Sequence, residues 1–288
     1  MIWSRYGGLR LEDIRETSWR IIVLFIALEV LLSTLFNLVI FPSGILSVFR
    51  EITFGLINET LMANLLLLAM LVYLMIIRLG GLSWMDLGIR RNRLAAGIAA
   101  TLVLWLAKEA INVAVSLLRT GNVNWSGIWN ADGMPVILGM LLGQVFGNAL
   151  FEEITFRGFL IPQIGKKIPA GKWRTAIAVL ASQTLFGLIH IPNRLYSGVA
   201  PEQMLFSIFM PAVLGVFFSL IYIVTDNLFF AIGVHTLNNI PMNVTAGLDL
   251  FFLNIFVTII ILVIWPFTFK KLQSDPPKTC EEICPWTR

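Results

Sequence analysis

Long apolar runs separated by short polar connections make up most of the chain. The first run extends from about Ile21 to Phe41 and ends at Pro42. It is too long for a signal-peptide core and no small-residue cleavage site follows, so a retained helix is expected. An amphipathic stretch, 43–60, carries Arg50 and Glu51 and suits a helix lying in the membrane interface. Further runs cover about Leu61–Ile77, Ala95–Leu118, Met134 into the acidic pair at Glu152, Thr175–His190, Leu205–Val224, Leu228–Ile240 and Leu250–Phe267. None shows the short alternating segments of a strand-based barrel. The pattern predicts an all-α, polytopic membrane protein with about eight transmembrane helices. No repeat or second domain interrupts it, so residues 1–288 are expected to form one integral-membrane domain. Within it, 1–20 is an N-terminal segment, 134–243 a motif-bearing core and 270–288 a tail.

Composition sharpens this picture. Of 288 residues, 57% are hydrophobic and only 13% are charged, which excludes an ordinary soluble domain. The basic residues cluster in alternate connections. One set is Arg5, Arg10, Arg15 and Arg20; the next is Arg78, Arg90, Arg91 and Arg93; then come Arg157, Lys166, Lys167, Lys172 and Arg174, and finally Lys270, Lys271, Lys278 and Arg288. The positive-inside rule then places both termini in the cytoplasm. The net charge of +4 reflects these loops and does not indicate a nucleic-acid partner. Cys280 and Cys284 lie in the tail, too few for a metal site and one residue out of register for a prenylation box. Trp125 and Trp129, between the third and fourth runs, suit the membrane interface.

Three constellations carry candidate chemistry. Ionisable groups at membrane depth are costly and are functional candidates by default. The stretch Asn148–Phe159 closes the fourth run and holds Glu152, Glu153 and Arg157. On a helix, Glu153 and Arg157 share a face at i,i+4, acid before base, whereas Glu152 points about 100° away. One carboxylate is thus paired and the other left available. The only two histidines, His190 and His235, also fall in or at the end of apolar runs. Phe186 and His190 are spaced i,i+4, as are His235 and Asn239; Asn238 adjoins, but the spacing favours Asn239. A carboxylate with an imidazole can deprotonate water. An imidazole with a carboxamide can offer two donors to a tetrahedral oxyanion. No intramembrane cysteine, Gly-x-Ser-x-Gly or His-Glu-x-x-His offers a rival, and Ser182 and Ser219 lie in no motif. No cofactor is expected, although two Glu and two His leave zinc as an alternative. Lys108 and Glu109, adjacent in the third run, are expected to form a buried pair.

A tension of depth remains. At 1.5 Å per residue His235 lies about 10 Å from the cytoplasmic start of its run and His190 about 22 Å from that of its own. For the two to converge, the fifth helix must begin outside the bilayer or tilt steeply.

In order, the three motifs resemble those of the CPBP family (CAAX protease and bacteriocin-processing, also called ABI), which includes the type II CAAX prenyl endopeptidases. The family pattern is Glu-Glu-x-x-x-Arg, Phe-x-x-x-His and His-x-x-x-Asn or Asp. Here it reads Glu152-Glu153-Ile-Thr-Phe-Arg157, Phe186-Gly-Leu-Ile-His190 and His235-Thr-Leu-Asn-Asn239. The resemblance implies a glutamate-type intramembrane protease in which Glu152 and His190 activate water and His235 and Asn239 hold the oxyanion. Glu153 and Arg157 would fix the motif helix, as their spacing independently suggests. The expected partners are the bilayer and a protein or peptide substrate, prenylated in the CAAX branch and a leader or signalling peptide in others. A non-catalytic scaffold or regulator and a proton-coupled transporter are the competing classes.

Overall fold

The computed structural model describes residues 11–126, 133–246 and 250–273. These are helical throughout, with no strand among them beyond an isolated bridge between Trp125 and Thr245. Six helices are long and apolar enough to cross a membrane: α1 Trp19–Ser43, α2 Glu59–Leu79, α3 Arg91–Thr120, α4 Met134–Lys167, α5 Arg174–Tyr196 and α6 Pro201–Thr225. Two shorter ones follow, α7 Leu228–Asn239 and α8 Leu250–Ile264. The all-helical, multi-pass membrane architecture is therefore as the apolar runs predict. Six long helices and two shorter ones agree with the count of about eight. With 12 residues, α7 is about 18 Å long, short of the hydrocarbon thickness, and nearly every residue from Leu228 to Leu237 is buried against other helices.

Local chemistry explains where the helices begin and end. Ser18, Asn58 and Asn227 cap α1, α2 and α7 by accepting from Ile21 N, Leu61 N and Phe230 N at 3.4, 2.9 and 3.0 Å. Helix α3 stops at Gly121, whose φ of 71° only glycine adopts without strain. Pro192 does not end α5 as its sequence position suggests. It sits in the first turn of a second helical piece, Ile191–Tyr196, and His190 occupies the joint. The connection 43–60 contains one short helix, Ser47–Ile52, that leaves Ile45, Val48, Ile52 and Phe54 exposed. Trp129, Cys280 and Cys284, like Arg5 and Arg10, lie outside the described residues.

Apolar side chains fill the core and also cover the outer faces, while several polar and charged groups are enclosed. Helix α6 exposes Leu205, Phe206, Phe209, Val213 and Leu220, whereas Glu29, Asn64, Lys108, Glu153, Arg157 and Gln183 are buried. Lipid is as apolar as leucine, so helices gain little by hiding leucine and much by enclosing polar groups. The buried positions of α3 show this as a stripe at i+4 spacing, from Ala96, Ala100 and Leu104 to Lys108, Asn112 and Ser116. The expected pair between Lys108 and Glu109 does not form. Adjacent helical residues diverge, so Lys108 turns inward while Glu109 accepts from Val244 N, Thr245 N and Thr245 Oγ1 at 3.3, 3.1 and 2.9 Å. Lys108 Nζ has no hydrogen-bond partner among the described residues.

The long helix α4 dominates the interior. It packs against α2, α5 and α7, and its 34 residues span about 51 Å, well beyond one bilayer crossing. Gln163, near its C-terminus, accepts from Thr17 N at 2.9 Å and donates to Arg15 O at 2.8 Å, fastening the N-terminal segment. Arg15 is held in turn by Asp86, which takes its N and Nε at 3.0 and 2.9 Å. Close approaches need glycine. A Cβ on Gly158 would stand 2.3 Å from Leu87 O, a backbone atom that cannot move aside cheaply.

Two outcomes follow. Gly158→Ala should cost about 1–3 kcal/mol of stability, the usual penalty of overpacking, read by thermal melting in detergent. Asp86 lies outside the spans; burial pushes its pKa up, but hydrogen bonds from Arg15 and Ser83 outweigh this and leave it below the ordinary value. Its contribution is therefore complete above the unfolded aspartate value near pH ~4 and lost as pH falls through the lower folded value. The melting-temperature gap between wild type and Asp86→Asn should be constant at neutral and mildly acid pH and close only in strong acid.

Candidate active site

The acidic motif occupies the middle of α4, not the solvated end of a helix. Around it the helix widens to i→i+5 winding over Gly143–Asn148 and Glu153–Leu160. Such π segments are uncommon and often mark functional sites. From Phe151 to Gln163 every residue is buried. Glu153 and Arg157 form the i,i+4 pair expected from sequence, Nη1 to Oε1 at 3.2 Å, with both side chains fully buried.

Arg157 is enclosed by aromatic faces. Its guanidinium carbon lies 4.5 Å from the Phe186 ring centroid and 5.5 Å from that of Phe218. The room comes from α6, where a Cβ on Gly215 would stand 3.1 Å from Arg157 Nη2 and 2.3 Å from Gln183 Oε1. Phe186 also meets Phe156 edge-on at 4.9 Å and His190 at 4.8 Å. Ser182, one turn earlier on α5, donates to Phe156 O at 3.1 Å and locks the two helices in register.

The two histidines are oriented differently. His190 Nδ1 lies 2.7 Å from Phe186 O. A carbonyl only accepts, so Nδ1 carries the proton and Nε2 presents its lone pair. His235 instead lies between the two glutamates, with Nδ1 2.8 Å from Glu153 Oε1 and Nε2 3.5 Å from Glu152 Oε2. Its ring stacks on Phe218 at 4.6 Å. Glu153 is therefore shared between Arg157 and His235, a second contact that the spacing along α4 alone does not reveal.

A cavity of about 380 Å³ opens in front of Glu152. Glu152, Asn148 and Gln144 come from α4, His190, Asn193 and Arg194 from α5, and Asn239 from the end of α7. Asn239 Nδ2 donates to Gln144 Oε1 at 2.9 Å. Asn238 does not line the cavity, and His235 sits one layer deeper, reached through Glu152. The remaining wall is supplied by α2 through Thr60 and Asn64 and by α1 through Glu29, Ser33 and Asn37. Glu29 and Gln144 belong to no motif. The signal for Glu29 is a lone acid within the first apolar run, on the buried stripe Ile22, Phe25, Glu29, Leu32. The depth tension is relieved because Glu152 meets the imidazole of His235 and shares a cavity with His190. No group of three or more His, Cys, Asp or Glu among the described residues has metal-holding geometry.

Fold and site together define a polytopic membrane protein in which a buried Glu/His cluster borders a cavity also lined by His190 and Asn239. Residues 134–241 match the family model described as Rce1-like, type II CAAX prenyl endopeptidase Rce1-like. This match bears out the resemblance to the CPBP family carried by the three motifs. No curated protein and no solved structure matches the chain.

Breaking a buried pair strands its partner's charge. Arg157→Ala and Glu153→Ala should each destabilise the protein by about 3–5 kcal/mol, whereas the apolar near-isostere Arg157→Met combined with Glu153→Gln should recover most of it. Thermal melting in detergent checks both, and Glu152→Gln, on the cavity wall, should melt near wild type.

Proposed function

We propose that the protein is an intramembrane endopeptidase that hydrolyses a peptide bond near the C-terminus of a prenylated, CAAX-type substrate. The observation that carries this reading is the division of labour around one acid pair. Glu153 is committed to Arg157 and His235, while Glu152 faces a cavity shared with His190.

Water held between Glu152 and His190 would lose one proton to the Glu152 carboxylate, while His190 Nε2, left as acceptor by the fixed Nδ1–H, orients the water through its other hydrogen. The hydroxide adds to the scissile carbonyl carbon, giving a tetrahedral oxyanion. His235 and Asn239 are assigned to that oxyanion. In the donating state His235 carries both N–H groups, Nδ1–H on Glu153 Oε1 and Nε2–H on the side of Glu152, whose Oε2 at 3.5 Å would have to yield that donor to the oxyanion. Gln144 Oε1 holds the Asn239 carboxamide at the cavity wall. Collapse then expels the amine, which takes a proton from the acid formed in the first step. The charge pattern of the loops supports an orientation with both termini cytoplasmic.

The test is cleavage of a farnesylated peptide with three residues after the modified cysteine, by the purified protein in detergent. Hydrolysis after that cysteine is expected to survive a chelator. Glu152→Ala and His190→Ala should each lower kcat by about 10²–10⁴-fold, the range of general acid–base catalysis. Asn239→Ala should lower it by about 10²–10³-fold, the worth of one oxyanion donor. Loss of activity on chelation would replace water activation by the two side chains with a zinc mechanism. Activity on leader peptides alone would move the substrate class, and no activity on either would favour a scaffold.

A further inference from the structure

Glu29 is the one acidic group of the cavity that the proposed chemistry does not use. It sits on α1, outside the segment 134–241 that carries the family match. It is only 3% exposed, and its Oε2 has no hydrogen-bond partner among the described residues. Burial follows from its place on the inward stripe of α1. Phe25, one turn earlier, packs edge-on against Phe159 of α4 at 5.1 Å. Ser33, one turn later, donates to Ile189 O at 3.2 Å beside His190. The contacts on either side hold Glu29 against the cavity that Glu152 and His190 also line.

No side chain of the lining donates to Glu29 Oε2. Arg194 is the one guanidinium of the lining, and two of its N–H groups are directed away from Glu29, Nε to Ser207 O and Nη1 to Asn193 Oδ1, both at 3.3 Å. The other carboxylate, Glu152, has the same sign. The rest of the lining from α1 and α2 mixes hydroxyls and carboxamides, from Ser33, Asn37, Thr60 and Asn64, with the apolar Phe36, Phe41, Ala63 and Leu67, none of them cationic. A buried carboxylate without a donor is costly. Water can serve while the cavity is open. A bound peptide that drives the water out must bring a donor of its own or leave the carboxylate stranded.

We propose that Glu29 forms a subsite for a cationic group of the substrate, the ammonium of a lysine or the guanidinium of an arginine, at a position held across the cavity from Glu152. The inference rests on the peptidase reading for its substrate but not for its geometry. A cation there satisfies the open Oε2 and also offsets the like charge of Glu152. An apolar side chain at the same position would make the group take up a proton or stay without a donor. Sites built to pair a substrate donor discriminate chiefly through this penalty. Glu29 is in this sense a specificity-determining residue and has no assigned part in bond breaking.

The experiment compares peptides that differ only in lysine, norleucine or glutamate, scanned through the positions flanking the scissile bond. The full-length protein and its Glu29→Gln and Glu29→Lys variants are assayed for kcat/KM, and each preference is a ratio within one protein. Wild type should favour lysine over norleucine at one position by about 10- to 100-fold, the size of one charge-assisted hydrogen bond. Glu29→Gln should collapse that ratio to within a few-fold, and Glu29→Lys should favour glutamate at the same position. Equal loss for every peptide in Glu29→Gln, or no position of lysine preference in wild type, overturns the subsite. Binding of uncleavable reduced-amide versions of the lysine and norleucine peptides, read by fluorescence anisotropy, separates the two readings. A lysine preference in binding without any cleavage keeps the subsite and sinks the peptidase. Cleavage with no preference in either assay does the reverse.

Discussion

A guanidinium buried between helices is the constraint on which this structure turns. Arg157 cannot reach water, so its charge must be met from within, by Glu153 one turn away and by the faces of Phe186 and Phe218. Each of these partners has a second duty. Glu153 also holds His235, Phe218 also stacks on that imidazole, and the backbone carbonyl of Phe186 fixes the tautomer of His190. The ion pair is weak evidence for stability in itself, because desolvating two charges offsets most of their attraction. Its value lies in position. One buried charge sets the orientation of both imidazoles and ties α4, α5, α6 and α7 to a common centre.

Two neighbouring glutamates thereby acquire different chemistry. Glu153 has a cation on one side and an imidazole on the other, and its surroundings exclude solvent. Glu152, one residue earlier, faces the cavity and approaches the other nitrogen of His235 at 3.5 Å. Helical divergence of adjacent side chains accounts for the split. Both acids still reach the same ring, because the imidazole of His235 lies between them with one nitrogen toward each.

The site was legible where chemistry follows helical spacing. Glu153 with Arg157 and Phe186 with His190 are i,i+4 contacts, and each forms as the spacing requires. What depends on contact between helices was not legible. The link from His235 to Glu153 joins positions 82 apart in the chain. Glu109, adjacent to Lys108, turned instead to the backbone after α7, because neighbours on a helix diverge. Nor does the sequence show that the charges of the acidic motif are enclosed by the other helices, with α4 continuing past them to Lys167. Pro192 was read as a stop, whereas an N-terminal proline begins a helix as readily as it ends one. Glu29 was overlooked because one acid in a strongly apolar run barely changes the hydrophobic pattern, and only packing shows that it faces inward.

The same physics explains why so many carboxamides surround the cavity. In lipid an unpaired polar group has no solvent to fall back on, so groups that must stay open to a substrate should be able to bond among themselves while waiting. Asn239 with Gln144, and Asn193 with Asn37, do so at 2.9 and 3.1 Å. An amide carries both donor and acceptor, so such pairs can exchange partners with a peptide backbone without leaving either group stranded. A carboxylate has no donor to offer unless protonated and cannot play that neutral role. The two acids on the lining, Glu152 and Glu29, are therefore the positions where the cavity makes a demand of its occupant. Glu152 meets the imidazole of His235, whereas Glu29 has no such neighbour in hydrogen-bonding reach.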